Sequence, residues 1–507
     1  MLNHSWDVII VGAGSSGAVV ASRLSNIENL RILLVEAGAG AQQILDFPDE
    51  IRSAHIVAGA RPDNSFNRLI PGQITDSREY TATRGRILGG SSATNGGYFI
   101  RPRRADFDEW EAAGSALWGY NSALSSLREM ESDLSYGSTA LHGAQGPVPV
   151  TRTQLSYPSV KTFHEAATEL GFPEHPDMND QGEDGFGAVP TNTVGDVQYN
   201  SAMTYLDPDI ERPGLTMWTD TTVERVLFKG TTTTGVRLRH NDEILDVHAR
   251  EVILCAGALI TPQLLMLSGI GPQDHLAQHS IPLAVDSPQV GRGLSDHPQL
   301  VSMWMPKENA EYPVGSWMGG VLHAHIGSSE IEALQSIRSL SELVGDEPSA
   351  ATALMLAPVS PRRTGHLNLV SGSIDDAPFV SYNYLNNADV RADLRASARL
   401  AKDILSTHAV TTQSEWSWGP SGEECSNDST LDAWIALNVG TSMHACATAS
   451  FAGEHPVVDP EGRVLGVRGL RIADTSILPA APRRGPAVAA LLIGELLASV
   501  ITADIAR

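Results

Sequence analysis

The sequence predicts an α/β protein of two interleaved domains, one on a buried parallel sheet and one, α+β, on an antiparallel sheet. Three observations carry this. The chain opens with an apolar run, Val8-Ile9-Ile10-Val11, that passes straight into Gly12-Ala13-Gly14-Ser15-Ser16-Gly17. Two more runs of the same kind, Glu251 to Leu254 and Leu470 to Ala473, stand far along the chain. Between about Leu300 and Trp434 the pattern changes to short alternating runs.

Val8 to Val11 is short enough for a strand buried on both faces. Ala18 to Leu24 reads as the start of a small-residue helix, and Arg31 to Val35 as a second strand ending in Glu36. Strand, glycine turn, helix, strand and acid within roughly 30 residues form a βαβ dinucleotide pattern, so this domain is Rossmann-like. The polar stretch Gln42 to Tyr80 has little periodicity and is expected to lie over that domain. Glu109 to Leu134 reads as helical, while His142 to Pro149 and Pro173 to Gly187 are turn-rich. Leu215 to Phe228 and Thr234 to Leu238 look like strands of a small sheet, with Thr231 to Thr234 as a turn. His366 to Val370 and Phe379 to Tyr384 alternate like strands of an antiparallel sheet, followed by a helix from Asp389 to Leu405. A long apolar helix is expected from Ala487 to Ile501. The expected division is 1–150, 196–299 and 435–507 for the nucleotide domain, and 151–195 and 300–434 for a substrate domain.

Composition narrows the function classes. The 507 residues carry a net charge of −24, which argues against nucleic acid as a partner and against broad attraction to anionic lipid. Cys255, Cys425 and Cys446 match no zinc or disulfide spacing. No His/Cys/Asp/Glu group shows ligand spacing, so no metal is expected. Met1 to Asp7 lacks the head of a secretory signal, and the Asn427-Asp428-Ser429 sequon is expected to be idle. Val488 to Ala503 is interrupted by Gly494, Glu495 and Ser499 and falls short of the roughly 20 apolar residues of a bilayer span. A buried helix, no transmembrane segment and a cytoplasmic location are expected.

The glycines have mechanical roles. Gly12 permits a tight turn, Gly14 lets backbone approach a pyrophosphate, and Gly17 allows close helix–strand packing. The helix near Ser15 offers unpaired N–H groups to phosphates. Glu36 can accept hydrogen bonds from a ribose diol and repels a 2′-phosphate, which disfavours NADP. A second loop, Arg84-Gly85-Arg86-Ile87-Leu88-Gly89-Gly90-Ser91-Ser92-Ala93-Thr94-Asn95-Gly96, can lie against a flat ring with only backbone between them.

This loop resembles the first signature of the glucose–methanol–choline (GMC) oxidoreductases, which are FAD enzymes. The segment Gly257-Ala258-Leu259-Ile260-Thr261-Pro262 through Ser268-Gly269-Ile270-Gly271 is similar to the second. The likeness continues through Val290-Gly291, Asp296-His297-Pro298, Asp459-Pro460 and Asp474-Thr475-Ser476-Ile477-Leu478-Pro479. It implies that Gly12, Gly14, Gly17 and Glu36 hold the ADP half of FAD. Ser91, Ser92, Asn95 and Gly96 would approach the flavin ring, and Val223 would meet the adenine. Ala256 and Gly257 would close over the ADP, and Asp474 would face the ribityl–pyrophosphate region. Gly89 and Pro486 join the same cofactor-binding set. The loop lacks the histidine of members with covalent FAD, so a non-covalent flavin is implied.

The resemblance also places the catalytic base at His444, in the stretch Ser442 to Thr448. A neutral imidazole suits removal of a hydroxyl proton near pH 7. Ala447 stands where many members have glycine, and Phe451 replaces a usual methionine. The second histidine or asparagine of most members is replaced by Gly485, so Arg484 or another group would have to supply that role. Arg483 and Arg484 read as an ion-pair site or anion-binding edge, and His297 as a structural cap near the domain junction. Asn95-Gly96-Gly97-Tyr98-Phe99, His142-Gly143 and Arg484-Gly485-Pro486 resemble the mycofactocin-associated branch of the family. The expected activity is hydride removal from an alcohol-type donor, plausibly reduced mycofactocin, with electrons passed to a respiratory acceptor at the inner face of the membrane. The alternatives are an oxygen-using small-alcohol oxidase, a hydroxynitrile lyase with structural flavin and a non-enzymatic flavin-binding protein.

Overall fold

The computed structural model describes residues 6–41, 43–182, 184–207, 210–308, 310–344 and 349–506, so the readings at Met1 to Ser5 and at Gln42 lie outside it. Trp6–Val11 is the central strand of a parallel sheet. Ile32–Val35 lies on one side of it and the second half of Glu243–Leu254 on the other. Leu215–Trp218 and Leu470–Ile472 extend the sheet outward, again in parallel. The chain leaves the central strand to one side first and reaches the other later. Neighbouring carboxyl ends therefore open a crevice at Gly12, where the winding direction changes.

The first half of Glu243–Leu254 pairs antiparallel with Thr232–His240, which pairs in turn with Thr222–Lys229. The stretch Leu215 to Phe228 is thus two strands in different neighbourhoods, separated at Asp220 by a left-handed backbone of φ +49°. The turn falls at Gly230 and Thr231, and Thr232 to Thr234 belong to the next strand.

A second, antiparallel sheet runs in the order Ser414–Trp418, Pro298–Pro306, Thr352–Pro358, Ser329–Ser336, Met318–Ile326 and Gly185–Ala188. Side chains alternate across it. Ile331, Ala333, Leu354 and Leu356 pack on one face against Leu400 and Ile404 of helix Ala388–Ser406 and Val160 and Phe163 of helix Pro158–Glu169. The opposite face, with Glu332, Leu334, Met355 and Ala357, turns toward the crevice.

Three local expectations are corrected. The polar stretch before Tyr80 contains a strand, Asn67–Thr75, that forms a hairpin with Arg78–Gly85. Its polar side chains hid the alternation. Gly365–Asn368 and Phe379–Ser381 are strands, but they pair with each other and with Asn67–Thr75 in a third sheet rather than with the second. Glu109 to Leu134 is not one helix: Arg104–Ala113 and Tyr120–Glu129 are separated at Gly114 and Gly119, and Glu131–Asp133 is a strand. Gly114, at φ −119° and ψ −92°, supplies the non-helical backbone that ends the first helix. All three cysteines are free.

Helix Ala487–Ile505 has the length and apolarity to cross a membrane, and 61% of its apolar window is buried inside the fold. It packs on the first helix, Ser15–Leu24. Glu495 fixes that contact. Its carboxylate accepts from Arg23 Nε at 2.7 Å and Nη2 at 2.8 Å, and from the Tyr205 hydroxyl at 2.8 Å. Glu495→Ala leaves the buried tyrosine unpaired. Removing one partner of a fully buried pair costs 3–5 kcal/mol, and the Arg23 side chain, 36% exposed, can rehydrate. We expect a loss of about 2 kcal/mol in urea unfolding; a change under about 0.5 kcal/mol would contradict this role.

Candidate active site

The carboxyl edge of the parallel sheet opens into a cavity of about 430 Å3. One end is walled by backbone. Gly12 has φ +99°, and a Cβ there would stand 2.6 Å from the Cys255 carbonyl oxygen. Gly90 has φ +52°, and its Cβ would meet Gly14 Cα at 2.7 Å. The two glycine loops therefore touch through main chain, and Gly89 N donates to Ala13 O at 2.9 Å. The first helix starts at this contact. Gly14, its N-cap, offers no side chain, and no acid stands in the first turn. The unpaired N–H groups and positive end of the helix thus remain available to an anion.

Two buried acids organise the loops. Glu36 accepts from Ala13 N and Gly38 N, both at 2.9 Å. Asp474 accepts from Gly257 N at 2.9 Å, the Thr261 hydroxyl at 2.6 Å and Ser476 N at 2.9 Å. Burial pushes both carboxyls above the usual range, and these donors oppose it. Glu36, Asp474, Gly12, Gly14, Ser91, Asn95, Gly96, Val223, Ala256, Gly257 and Pro486 all line the cavity. Gly17, Gly89 and Ser92 stand behind its wall. Gly17 presses the first helix against the turn and the neighbouring strand, where a Cβ would stand 1.9 Å from the Gly12 carbonyl oxygen and 3.1 Å from Cys255 Cβ. Ser92 turns away from the expected ring position, because its hydroxyl donates to Gly89 O at 2.6 Å and lies 2.8 Å from the Ser201 hydroxyl.

His444 lines the other end, beside Gly485, Tyr98, Trp317, Glu332 and Met355. Its backbone N donates to Asp296 Oδ1 at 2.7 Å, and His297 N donates to the same oxygen at 2.7 Å. The Thr441 hydroxyl donates to Oδ2 at 3.0 Å. Burial pushes Asp296 up to about 6, against the pull of Arg84 and these donors. Met443 and Ala447 flank the histidine with left-handed backbone, φ +61° and +71°. Glycine adopts that conformation without strain, which explains why Ala447 is a departure there. Phe451 stacks on Trp118, with ring centroids 5.1 Å apart.

His297 is more than a cap. Its Nδ1 lies 2.9 Å from His444 Nδ1, with the rings nearly perpendicular. Burial holds His444 well below the usual histidine value and lowers His297 to about 4, so both rings are neutral at pH 7. One proton is shared between the two Nδ1 atoms. With His297 Nδ1 as the acceptor and His444 Nδ1–H as the donor, the lone pair of His444 Nε2 is free. A Cβ on Gly485 would lie 3.5 Å from that Nε2, so no side chain flanks it from position 485.

Neither arginine fills the gap. Arg483 is bound to Asp106, Glu109 and Glu330 at 2.9, 2.6 and 2.9 Å. Arg484 is buried behind the wall and donates to Met178 O at 3.3 Å, with burial lowering it to about 10. The fold also gathers Glu131, Asp133 and His142 within 4.8 Å, a grouping absent from the sequence spacing. Cations of the chain already serve it. Arg101 reaches Glu131 at 2.6 Å, and Arg152 reaches Asp133 at 2.9 Å. Burial alone would lower His142, but Asp133, Asp177 and Glu131 outweigh it and raise the ring to about 10.

Sequence reasoning missed His297 as the partner of His444, and missed Asp296, Tyr98, Trp317 and Glu332 as parts of the site. The Asp296-His297-Pro298 segment was the available signal for the first two.

A glycine-walled crevice at the switch point of a parallel sheet, with a helix N-terminus and a buried acid, defines a dinucleotide-cofactor enzyme. The chain belongs to the GMC oxidoreductase family, which its residues 6–299 and 361–494 match. It is an FAD-dependent oxidoreductase, and its side-chain-free cradle fits that cofactor. It is 33% identical over 98% of both chains to an uncharacterized GMC-type oxidoreductase of Rhodococcus erythropolis. It is 32% identical over 99% of both chains to the 5-(hydroxymethyl)furfural oxidase of a Methylovorus species. The fold matches pyridoxine 4-oxidase from Mesorbium loti with a TM-score of 0.89 and 24% identity, over 98% of this chain and 99% of that one.

The glycine contact gives a direct test. Gly90→Ala is expected to fold and to purify with at least roughly tenfold less bound FAD, because the methyl would force the two loops apart. The ratio of flavin to protein absorbance measures it, and a wild-type ratio would contradict the packing argument.

Proposed function

We propose that this protein oxidises an alcohol-type donor, with His444 as the base that takes the hydroxyl proton. The observation that carries the reading is the neutral His444, its Nδ1 engaged by His297 at 2.9 Å and its Nε2 next to the open position at Gly485. Bound FAD supplies the hydride acceptor. Gly12, Gly14, Gly90 and the first helix would hold its phosphates, with Glu36 at a ribose and Asn95 and Gly96 near the ring. Asp296 keeps the His297 and His444 backbones in register, and His297 keeps the His444 proton on Nδ1. Trp317, Leu334, Met355 and Ala357 exclude water from the donor. The division 1–150, 196–299 and 435–507 for the cofactor domain, with 151–195 and 300–434 for the substrate domain, belongs to this proposal.

Reduced mycofactocin is the donor favoured by the sequence resemblance, with a respiratory electron acceptor, a dissociable flavin and a cytoplasmic location, peripheral at the inner membrane face. Oxygen is the second acceptor to test, because the 32% identical furfural-derivative relative is named an oxidase.

The deciding measurement is the anaerobic visible spectrum before and after adding reduced mycofactocin or a panel of primary alcohols. Bleaching of the oxidised-flavin band supports the reading; bound flavin that no donor bleaches moves the lyase ahead. His444→Ala should keep its flavin and lose roughly a hundredfold or more in reduction rate. A wild-type rate would remove His444 from the base role.

The pH profile is a separate check. A base whose pKa is depressed stays in its active, neutral form as the pH falls through the ordinary histidine value of 6.5. The reduction rate should therefore be flat from about pH 8 down to 6.5. It should decline only near and below about 6, where Asp296 takes up its proton. An inflection above 6.5 would contradict the assignment.

A further inference from the structure

Resting on the alcohol-oxidising reading, we infer that Glu332 selects substrates carrying a second, uncharged hydrogen-bond donor, such as another hydroxyl, away from the reacting carbinol.

Glu332 sits mid-strand in Ser329–Ser336, where the two-residue period sends Ile331 and Ala333 into the core and Glu332 and Leu334 toward the cavity. It is only 5% exposed. Its Oε2 is engaged twice, by the Tyr98 hydroxyl at 3.0 Å and His323 Nε2 at 3.1 Å. The second oxygen, Oε1, accepts no hydrogen bond among the described residues and is the atom left for the cavity. The wall around it is apolar: Leu334, Met355, Ala357 and the Trp317 ring, whose Nε1 already donates to Gly96 O at 2.9 Å. A plain alkanol filling this end would strand a buried acceptor, whereas a donor on the substrate satisfies it.

The charge balance specifies a neutral donor. Burial pushes the Glu332 carboxyl above the usual range, and the charge of Arg484, buried nearby, opposes that rise. A substrate cation would meet a carboxylate whose charge Arg484 already answers in part, and would lose its hydration for little return. A hydroxyl carries no such cost.

The test uses the FAD-loaded enzyme and measures anaerobic flavin reduction by matched-length series of n-alkanols, α,ω-diols and protonated ω-amino alcohols. We expect the diols to exceed the alkanols in second-order rate constant by roughly tenfold or more, with the amino alcohols no better than the alkanols. Glu332→Gln reverses the polarity presented to the substrate. The Tyr98 hydroxyl still needs an acceptor, so the amide oxygen takes the Oε2 position and the NH2 faces the cavity. A hydroxyl can meet either polarity, so the variant is read with acceptor-only ω-methoxy alcohols: no better than alkanols with the wild type, they should exceed them by roughly tenfold in Glu332→Gln, with flavin content retained. Equal wild-type rates for diols and alkanols overturn the inference without any variant. A preference for amino alcohols, or ω-methoxy alcohols that gain nothing in Glu332→Gln, overturns it as well. If none of the three series reduces the flavin, the alcohol reading itself falls, and this inference with it.

Discussion

The carboxylate of Asp296 joins the two stretches of chain that carry the site's histidines. One oxygen accepts both the His297 and His444 backbone N–H groups, each at 2.7 Å. These residues are 147 apart in sequence; the pairing of Pro298 with Thr441 and the Ser295–Cys446 bridge bring the two stretches together, and the carboxylate ties the histidine backbones between them. Burying the acid is costly, as its rise to about 6 indicates, and Arg84 and three donors offset that cost. The 2.9 Å contact between the imidazoles follows from this anchoring, and so does the direction in which His444 presents Nε2.

For the base we propose, the electrostatic consequence is that no charged partner is needed. Two neutral rings share one proton, and the enclosure that depresses both pKa values also keeps them neutral throughout the physiological range. A carboxylate on His444 Nδ1 would have raised its pKa and held it protonated to higher pH. An imidazole acceptor orients the ring as firmly without doing so. The opposite wall follows another logic: burial raises the Glu332 carboxyl, Arg484 opposes that rise, and the role we infer for it is binding rather than proton transfer.

How much was legible in the sequence depends on how local each feature is. Gly12, Gly14 and Glu36 are read directly, because one βαβ unit contains all the geometry that defines them. The helix Ala388–Ser406 was legible for the same reason, through its own period. Ser92 misled, because a hydroxyl in a flavin-type loop suggests a ligand contact, and only the fold reveals Ser201 behind it. The hairpin Asn67–Gly85 was hidden since its stabilising partner strand, Phe379–Ser381, lies some 300 residues away. The His297–His444 pair, the Glu131–His142 cluster and Glu332 are products of long-range packing, and spacing carries no trace of them.

Backbone strain at His444 closes the argument. Met443 and Ala447 both hold left-handed conformations without being glycine, each at a cost of order 1 kcal/mol. Such residues persist only where surrounding bonds over-determine them. Here the bonds are identifiable: Met443 N donates to Thr441 Oγ1 at 3.0 Å, His444 N to Asp296, and Ala447 N to Thr475 O at 3.1 Å. The segment is thus pinned on both sides of the histidine and at it. As the proposed base, His444 has no second polar side chain at position 485 to help position the hydroxyl. A ring whose backbone, Nδ1 and flanking turns are all fixed loses little entropy when that hydroxyl arrives, so rigidity around His444 compensates for the partner that Gly485 does not provide.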